Sequence, residues 1–160
     1  TRMRWKPTHA VTTITNPITV DHTVLRQHLL PGLLKLLATN RHHDLPQSVY
    51  ELGTVVRDHQ NAERLAFLTA ERSGGFAAVR GRVQAFCKDL GVTNWEVEPL
   101  EAGDGPWLAG RGAKLVINGS WVGCFGELDP AVSSTYDLRV PLNGAEFDVN
   151  ALMAAAIDPV

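Results

Sequence analysis

Two acidic residues near the end of the chain are the most obvious candidates for chemistry in this sequence. Glu146 and Asp148 stand two apart in the segment AEFDV, so on a strand both side chains project to one face. Two carboxylates held close together could form an acid/base pair or bind a metal, because like charges push their pKa values apart. A strand edge that faces solvent or a partner explains the same pattern without chemistry, and we predict that arrangement.

Three other polar groupings contain ligand-like or nucleophilic residue types. Residues 42–44 (His-His-Asp) are adjacent, but neighbouring side chains on extended backbone point apart, so we predict a polar loop rather than a metal site. Residues 133–135 (Ser-Ser-Thr) lack the GxSxG setting of an activated serine and are predicted to lie on a helix surface. Gly74 and Gly75 lack the spacing and lysine of a phosphate-binding loop and indicate a turn. We therefore assign no catalytic, cofactor-binding or metal-binding residue.

Composition and charge narrow the class of protein. The 160 residues suit one domain, predicted over 1–160, and 44% hydrophobic with 20% charged residues is typical of a globular fold. A formal charge of −2 gives no field that would draw the domain onto phosphate backbones or anionic lipid. Two cysteines without CxxC spacing indicate a reduced, cytoplasmic setting. No apolar run approaches the roughly 20 residues needed to cross a bilayer.

The elements that must position these residues follow from the hydrophobic pattern. β-branched residues predict a first strand over residues 9–14. Leucines recur every four residues after Thr23, which predicts a helix capped by Thr23 and ending near Thr39. Pro31 cannot donate a backbone hydrogen bond inside that helix. We therefore predict either a kink or a helix that restarts with Pro31 in its first turn.

Strands dominate the rest of the chain. Residues 48–56 and 64–70 indicate a long hairpin, and residues 76–90 carry apolar side chains at helical spacing. Asn118 and Gly119 favour the tight turn of a second hairpin. This order lacks regular βαβ alternation and predicts an α+β fold, an antiparallel sheet with helices on one side. The remaining predicted elements are a strand over 94–100, a short helix over 131–136, a strand over 145–149 and a helix at the end of the chain.

Four stretches, in the same order, resemble the C-terminal class II synthetase-like domain of the phenylalanine–tRNA ligase β subunit, in its archaeal and eukaryotic form. The ending PLNGAEFDVNAL is similar to the last strand of that family. The four stretches are NPITVDHTVLRQHLLPGLL (16–34), LPQSVYELGTVV (45–56), FAAVRGRVQAFCKDLG (76–91) and VGCFGELDPAV (122–132).

The resemblance implies a class II aminoacyl-tRNA synthetase-like antiparallel sheet flanked by helices. It also implies a cytoplasmic parent enzyme of two α and two β subunits that attaches phenylalanine to its tRNA using ATP and magnesium. The α subunit of that family holds the aminoacylation site. We therefore expect this chain to be part of a longer β subunit, lacking its N-terminal part, and to serve assembly without a cofactor of its own. Self-association of the isolated domain is left open.

A working class II site needs arginines on the ATP phosphates, because adenylate formation develops charge that fixed cations must neutralise. The matching strands, residues 49–53 and 145–149, contain none, so we predict a non-catalytic domain. The predicted structural or interface residues are Arg26, Glu51, Trp121 and Glu127.

Two alternatives stay open beside the assembly role. One is a small-ligand binding or regulatory domain that reuses a synthetase-like pocket. The other is direct tRNA contact through Arg80, Arg82 and Lys88 on the second helix, although a few cations on an amphipathic helix are usually its solvated face. Most of the four tryptophans are expected in the core, with Trp121 on the hairpin the most exposed.

Overall fold

Six antiparallel strands form one sheet in the spatial order β1-β2-β6-β5-β4-β3 in the computed structural model of the chain. The structure describes residues 2–16 and 24–156. The α+β class and the antiparallel sheet flanked by helices are confirmed. The strands are β1 (Gln47–Arg57), β2 (Gln60–Ala70), β3 (Trp95–Pro99), β4 (Trp107–Ile117), β5 (Ser120–Leu128) and β6 (Leu142–Asp148). The helices are α1 (Leu30–Thr39), α2 (Gly75–Asp89), α3 (Pro130–Ser133), followed by a 3-10 turn (Ser134–Tyr136), and α4 (Val149–Ala155).

Both predicted hairpins are present. The β1–β2 hairpin keeps one register from Gln47 opposite Ala70 to its tight end. The β4–β5 hairpin turns at Asn118 and Gly119, whose φ angles are 50° and 77°. Positive φ at both central residues is the geometry that twisted strands need in a two-residue turn, and Asn-Gly adopts it readily.

The last strand, β6, lies at the centre of the sheet between β2 and β5. Gly144 on β6 stands opposite Leu68 on one side and Gly126 on the other. A Cβ at Gly144 would collide with the Phe67 carbonyl oxygen of β2. Glycine therefore permits the close approach of these central strands.

Helices cover both faces of the sheet, so the expectation that they lie on one side is wrong. Side chains alternate along β2, with Leu68 facing one core cluster and Phe67 packing against the other. Apolar side chains project from both faces of β2, and each group is buried only where a helix packs over it. This explains why helices lie on the second face as well. On one face α1 buries Leu30, Leu33, Leu34 and Leu37; on the other, α2 buries Val79, Val83 and Cys87, and α4 buries Leu152.

The predicted first strand over residues 9–14 does not form, so that prediction is wrong. This segment makes only an isolated antiparallel bridge, between Thr13 and Val24. Its backbone also forms a hydrogen bond outside any strand pair: the Ala10 amide donates to the Asp58 carboxylate in the β1–β2 turn over 2.7 Å. β-branched residues favour extended backbone, but extended backbone becomes a strand only beside a partner strand.

The predicted restart at Pro31 is confirmed. α1 begins at Leu30, and Pro31 occupies its first turn, where a missing amide hydrogen costs nothing. Residues 24–29 approach the helix without helical structure. The predicted cap, Thr23, lies outside the described residues. Among the described residues, no helix is long and apolar enough to cross a membrane.

Candidate functional site

A cavity of about 470 Å³ opens on the face of the sheet that carries α1. Its floor consists of Arg64, Cys124 and Glu146, from the neighbouring strands β2, β5 and β6. Three tryptophans contribute to its walls, and its six charged side chains balance to zero. These are Trp5, Trp107 and Trp121, the cations Lys6, Arg57 and Arg64, and the anions Asp104, Glu146 and Asp148.

Glu146 links the floor of the cavity to the start of α1. Its side chain is 2% exposed, and Oε2 accepts hydrogen bonds of 3.1 Å from the amides of Leu29 and Leu30. Oε1 accepts a 3.2 Å hydrogen bond from Nε of Arg64. Leu29 cannot cap the helix with its own side chain. Glu146 therefore supplies both the cap of α1 and the counter-charge of Arg64.

Contacts keep the buried Glu146 carboxylate ionised. Burial opposes its charge, but the charge of Arg64 and the hydrogen bond from the Leu30 amide hold the pKa of Glu146 below its usual range. This carboxylate is therefore negative throughout the neutral range. It compensates Arg64, which is itself buried.

His28 forms the wall above Glu146. Its ring stacks on Trp5 with centroids 3.6 Å apart and planes 10° apart. Its Nδ1 lies 3.1 Å from Nη2 of Arg57 and 3.5 Å from Oε1 of Glu146. A guanidinium only donates, so the Arg57 contact requires an unprotonated Nδ1 and places the ring proton on Nε2. Burial lowers the pKa of His28, and the charges of Arg57 and Arg64 add to that effect against the raising influence of Glu146.

We expect stability to fall as the pH drops below about 6.5, the ordinary pKa of histidine. The unfolded chain then protonates His28 while the folded domain resists protonation, so this contribution is complete above pH 6.5 and declines below it. One such group contributes a slope of at most about 1.4 kcal/mol per pH unit. Urea unfolding at pH 7.5, 6.5 and 5.5 measures it, and His28→Gln should flatten the slope. His42→Gln, in an exposed loop, should leave the slope unchanged; equal slopes for all three proteins would contradict the assignment.

Glu146 and Asp148 do not form the solvated or interface-facing strand edge that the sequence predicted. β6 lies inside the sheet, and the two carboxylates have separate tasks. Asp148 Oδ1 accepts a 2.8 Å hydrogen bond from the Ala151 amide and thereby caps α4. The alternating pattern is the same for an edge strand and for a central strand that borders a cavity, so periodicity alone could not separate them.

Two of the four predicted structural residues meet. Nη1 of Arg26 lies 2.7 Å from Oε1 of Glu51, and its Nε donates to the Thr54 carbonyl over 3.0 Å. The Arg26 carbonyl also accepts a 2.8 Å hydrogen bond from the Val56 amide. These bonds fasten the segment before α1 to β1. Both side chains are partly exposed, so the ion pair itself contributes about 1 kcal/mol or less.

The other two predicted residues lie elsewhere. Trp121 is 57% exposed, in line with expectation, and lines the cavity with Lys114 Nζ 4.8 Å from its ring centroid. Glu127 is half-buried beside the first turn of α2, with Oε2 3.3 Å from the position of a Cβ on Gly75. A carboxylate near a helix N-terminus is favourable. The four residues therefore do not share one site.

The remaining polar groupings stay apart from the cavity. Residues 42–44 are exposed in the loop after α1, as expected. Ser133, predicted on a helix surface, is instead buried, and its hydroxyl donates to the Pro130 carbonyl over 3.2 Å. No group of three or more His, Cys, Asp or Glu side chains within residues 2–16 and 24–156 is arranged to hold a metal.

Of the three basic residues considered on α2, Arg82 already forms hydrogen bonds within the domain. Nη1 of Arg82 donates to Asn143 Oδ1 over 2.7 Å, and Nη2 donates to both oxygens of Glu71 over 3.1 Å. Arg80 and Lys88 stay exposed. Two separate surface cations offer little for a phosphate backbone, so the structure adds no support for tRNA contact by α2.

Most of the residues that line the cavity were not predicted from the sequence. Arginine is absent from residues 49–53, where a catalytic cation was sought, yet Arg57 stands four residues further along the same strand. Arg64, on β2, also lines the cavity. The available signal was the pair of arginines flanking the β1–β2 turn, because a hairpin brings such positions close together. His28 and Trp5 carried no comparable signal, since their place depends on irregular segments.

The six-stranded sheet and its cavity define the fold of a class II aminoacyl-tRNA synthetase. Pyrrolysyl-tRNA synthetase from Desulfitobacterium hafniense superposes with a TM-score of 0.69 at 14% identity, over 89% of this chain and 52% of that one. Residues 2–149 match the family described as phenylalanyl tRNA synthetase beta chain CLM domain, and the chain belongs to that family.

Curated relatives agree with this assignment. The phenylalanine–tRNA ligase beta subunit of Archaeoglobus fulgidus is 38% identical over 94% of this chain, and that of Methanopyrus kandleri is 37% identical over 97%. The match covers 27% of the length of either relative. The beta subunit of Halorubrum lacusprofundi is 38% identical over 87% of this chain and 25% of its own length. The chain thus spans about a quarter of the relatives it matches.

Proposed function

We propose that this domain is a non-catalytic assembly module of a phenylalanine–tRNA ligase β subunit and docks on the catalytic α subunit of an α2β2 enzyme. The observation that carries the proposal is an exposed apolar surface on β1. Tyr50 is 79% exposed and Leu52 is 63% exposed. Large apolar side chains this open, side by side on one strand, are typical of a surface that a partner covers.

The surface continues onto β2. Tyr50 is in register with Phe67, and Leu52 with Leu65, so the four side chains share one face of the sheet. We call these four residues the β1 face. A cleft of about 320 Å³ adjoins it and extends to Phe86 of α2. The helix α2 packs mainly on β6 and β5, which lie two and three strands in from β1, so the β1 face stays open within the described residues.

The edge of β1 supports the same function. β1 has 11 residues and pairs with β2 along one side. On its other edge Arg26 already bonds to Thr54 and Val56, which leaves the backbone of Tyr50 and Leu52 without a strand partner there, within the part of the chain that the structure describes. An open strand edge beside an apolar face offers backbone hydrogen bonds as well as buried area to a partner. Docking would therefore extend the sheet and cover Tyr50 and Leu52 together.

The division of labour follows from the family. In this proposal the α subunit binds ATP, magnesium and phenylalanine, and phenylalanine tRNA meets the assembled cytoplasmic enzyme rather than this domain alone. The zero net charge of the cavity lining supports a non-catalytic role, because a triphosphate needs an excess of cations.

Co-expression with the α subunit from the same organism tests the proposal. We expect the two chains to co-elute in size-exclusion chromatography with light scattering. Leu52→Asp should weaken the complex at least tenfold, because it buries an unpaired charge in an apolar contact. Leu36→Asp is the matched control, since Leu36 is 44% exposed on α1 on the opposite face of the sheet.

Two results would contradict the proposal. Equal weakening by Leu52→Asp and Leu36→Asp would show that the β1 face does not dock. Phenylalanine-dependent exchange of pyrophosphate into ATP by this domain alone would show that it is catalytic. The same chromatography reports self-association, and a dimer that Leu52→Asp makes monomeric would show that the β1 face pairs with a second copy in the absence of the α subunit.

A further inference from the structure

Residues 5–10 form a segment, here called the strap, that runs along one wall of the cavity. Both ends of the strap are fixed to the domain. On one side Met3 is only 4% exposed, in the core cluster under α1. On the other side the Thr12 carbonyl accepts a 2.9 Å hydrogen bond from the Leu25 amide. The strap residues that line the cavity are Trp5, Lys6, Thr8 and His9.

Side chains of other segments, rather than a strand ladder, hold the strap in place. The Ala10 amide donates to Asp58 Oδ1 over 2.7 Å, and Nδ1 of His9 lies 2.7 Å from Asp58 Oδ2. Nε2 of Gln27 donates to the Ala10 carbonyl over 2.8 Å. None of residues 5–10 belongs to a strand or an isolated bridge. A segment held by a few exposed bonds opens at a lower free-energy cost than a strand inside a sheet.

The β1–β2 turn, which holds the strap, has an unusual composition for its shape. Asp58 and His59 occupy its two central positions with φ angles of 50° and 63°. Asn-Gly adopts such angles most readily, and the β4–β5 turn uses that pair. The side chain of Asp58 contacts the strap, and Nδ1 of His59 lies 3.0 Å from Oγ1 of Thr12 at its end. Unfavourable backbone kept at residues whose side chains make such contacts indicates a functional position.

We propose that the strap is a movable lid, which swings away from the cavity when its bonds to Asp58 break while the sheet stays folded. Because both ends of the strap are fixed, it bows outward without leaving the domain. Opening separates Trp5 from His28, whose ring it covers, and gives solvent and small molecules access to the cavity floor at Cys124. This lid is a property of the domain beyond its assembly role.

The two cysteines of the chain distinguish opening of the strap from unfolding of the domain. Cys124 lies on the cavity floor, where burial raises the pKa of its thiol to about 11. Only the thiolate reacts readily, so labelling should be slow while the strap is closed and faster once water enters. Cys87 is fully buried under α2 and becomes reactive only when α2 leaves the sheet. Labelling with N-ethylmaleimide, followed at each cysteine by peptide mass spectrometry, therefore reports both events.

Asp58→Gly should release the strap without weakening the hairpin, because glycine favours the positive φ of this position. We expect the Ala10 amide to exchange with deuterium about tenfold faster by NMR, as for the loss of one hydrogen bond to a charged group. Labelling of Cys124 should rise at least about threefold, a smaller factor because this thiol is only partly buried when the strap is closed. Labelling of Cys87 should not change.

A second variant and a matched control accompany Asp58→Gly. Gln27→Ala removes a different contact of the strap and should change Ala10 exchange and Cys124 labelling in the same direction. Asn118→Gly makes the corresponding replacement in the β4–β5 turn, where φ is also 50°, and should leave both rates unchanged. Thermal unfolding of each variant shows whether the domain remains folded at the labelling temperature.

Three outcomes would overturn the proposal. An Ala10 amide that exchanges no faster than the amides of β6 in the unaltered chain would mean that the strap opens only by global unfolding. Unchanged Cys124 labelling in both strap variants would mean that the strap does not control access to the cavity. Cys87 labelling that rises together with Cys124 labelling, or an equal response to Asn118→Gly, would mean that the whole domain loosens. None of these measurements involves the α subunit, so they test the strap separately from the assembly role.

Discussion

Replacing Glu146 with alanine is expected to lower the free energy of unfolding by about 3–5 kcal/mol. The change removes the partner of Arg64, which is only 8% exposed, and leaves a buried guanidinium uncompensated. It also leaves the Leu29 and Leu30 amides without their acceptor. Breaking a buried pair costs more than the pair contributes, because the remaining charge cannot return to water. Urea unfolding followed by far-ultraviolet circular dichroism at pH 7.5 measures the change.

Two companion variants make the Glu146 result specific. Glu146→Gln keeps the shape and one acceptor oxygen, so it should cost less than Glu146→Ala. Glu98→Ala removes an exposed carboxylate of β3 and should change stability by about 0.5 kcal/mol or less. A loss below about 1 kcal/mol for Glu146→Ala would show that the carboxylate does not hold Arg64 and α1 together.

Replacing Gly144 with alanine is expected to cost about 3 kcal/mol, near the upper end for overpacking. The added methyl group would collide with the Phe67 carbonyl oxygen and stand 2.7 Å from Leu68 Cδ2. Backbone cannot swing aside as a long side chain can, and Gly144 has strands on both sides. β2 and β6 would therefore have to separate, which strains the register at the centre of the sheet. Chemical unfolding measures the loss.

The matched control for Gly144 is a glycine where a methyl group has room. Gly81 lies on the exposed side of α2, with nothing within 4 Å of its added Cβ. Gly81→Ala should raise stability by about 0.5–1 kcal/mol, because alanine favours helix and narrows the unfolded ensemble. Opposite signs for the two glycines are the expected result. A Gly144→Ala domain as stable as the original would mean that the central strands can move apart at little cost.

Local signals explain what the sequence could predict of the fold. Asn118 and Gly119 determine a turn by their own backbone preferences, and the apolar spacing of α2 identifies its buried stripe. Pro31 likewise locates the start of α1 within its first turn. Each of these features depends on residues that are neighbours in sequence. They were accordingly predicted correctly.

The position of β6 at the centre of the sheet could not be predicted from such local signals. Its pattern of alternating side chains describes two faces but not which strands lie beside it. β2 and β5 are separated by 49 residues, since β2 ends at Ala70 and β5 begins at Ser120, and β6 enters between them from the end of the chain. The cavity has the same origin, because Trp5, His28 and Arg57 meet only through that topology.

The long-range cap of α1 has a consequence for how the domain folds. The Leu29 and Leu30 amides are held by a carboxylate 117 and 116 positions further along the chain. During synthesis the helix segment therefore emerges well before its cap, and a helix of 10 residues is marginal on its own. We infer that α1 becomes stable only once β6 has been synthesised. Its first amides should accordingly exchange with solvent deuterium only through global opening, not through separate fraying of the helix end.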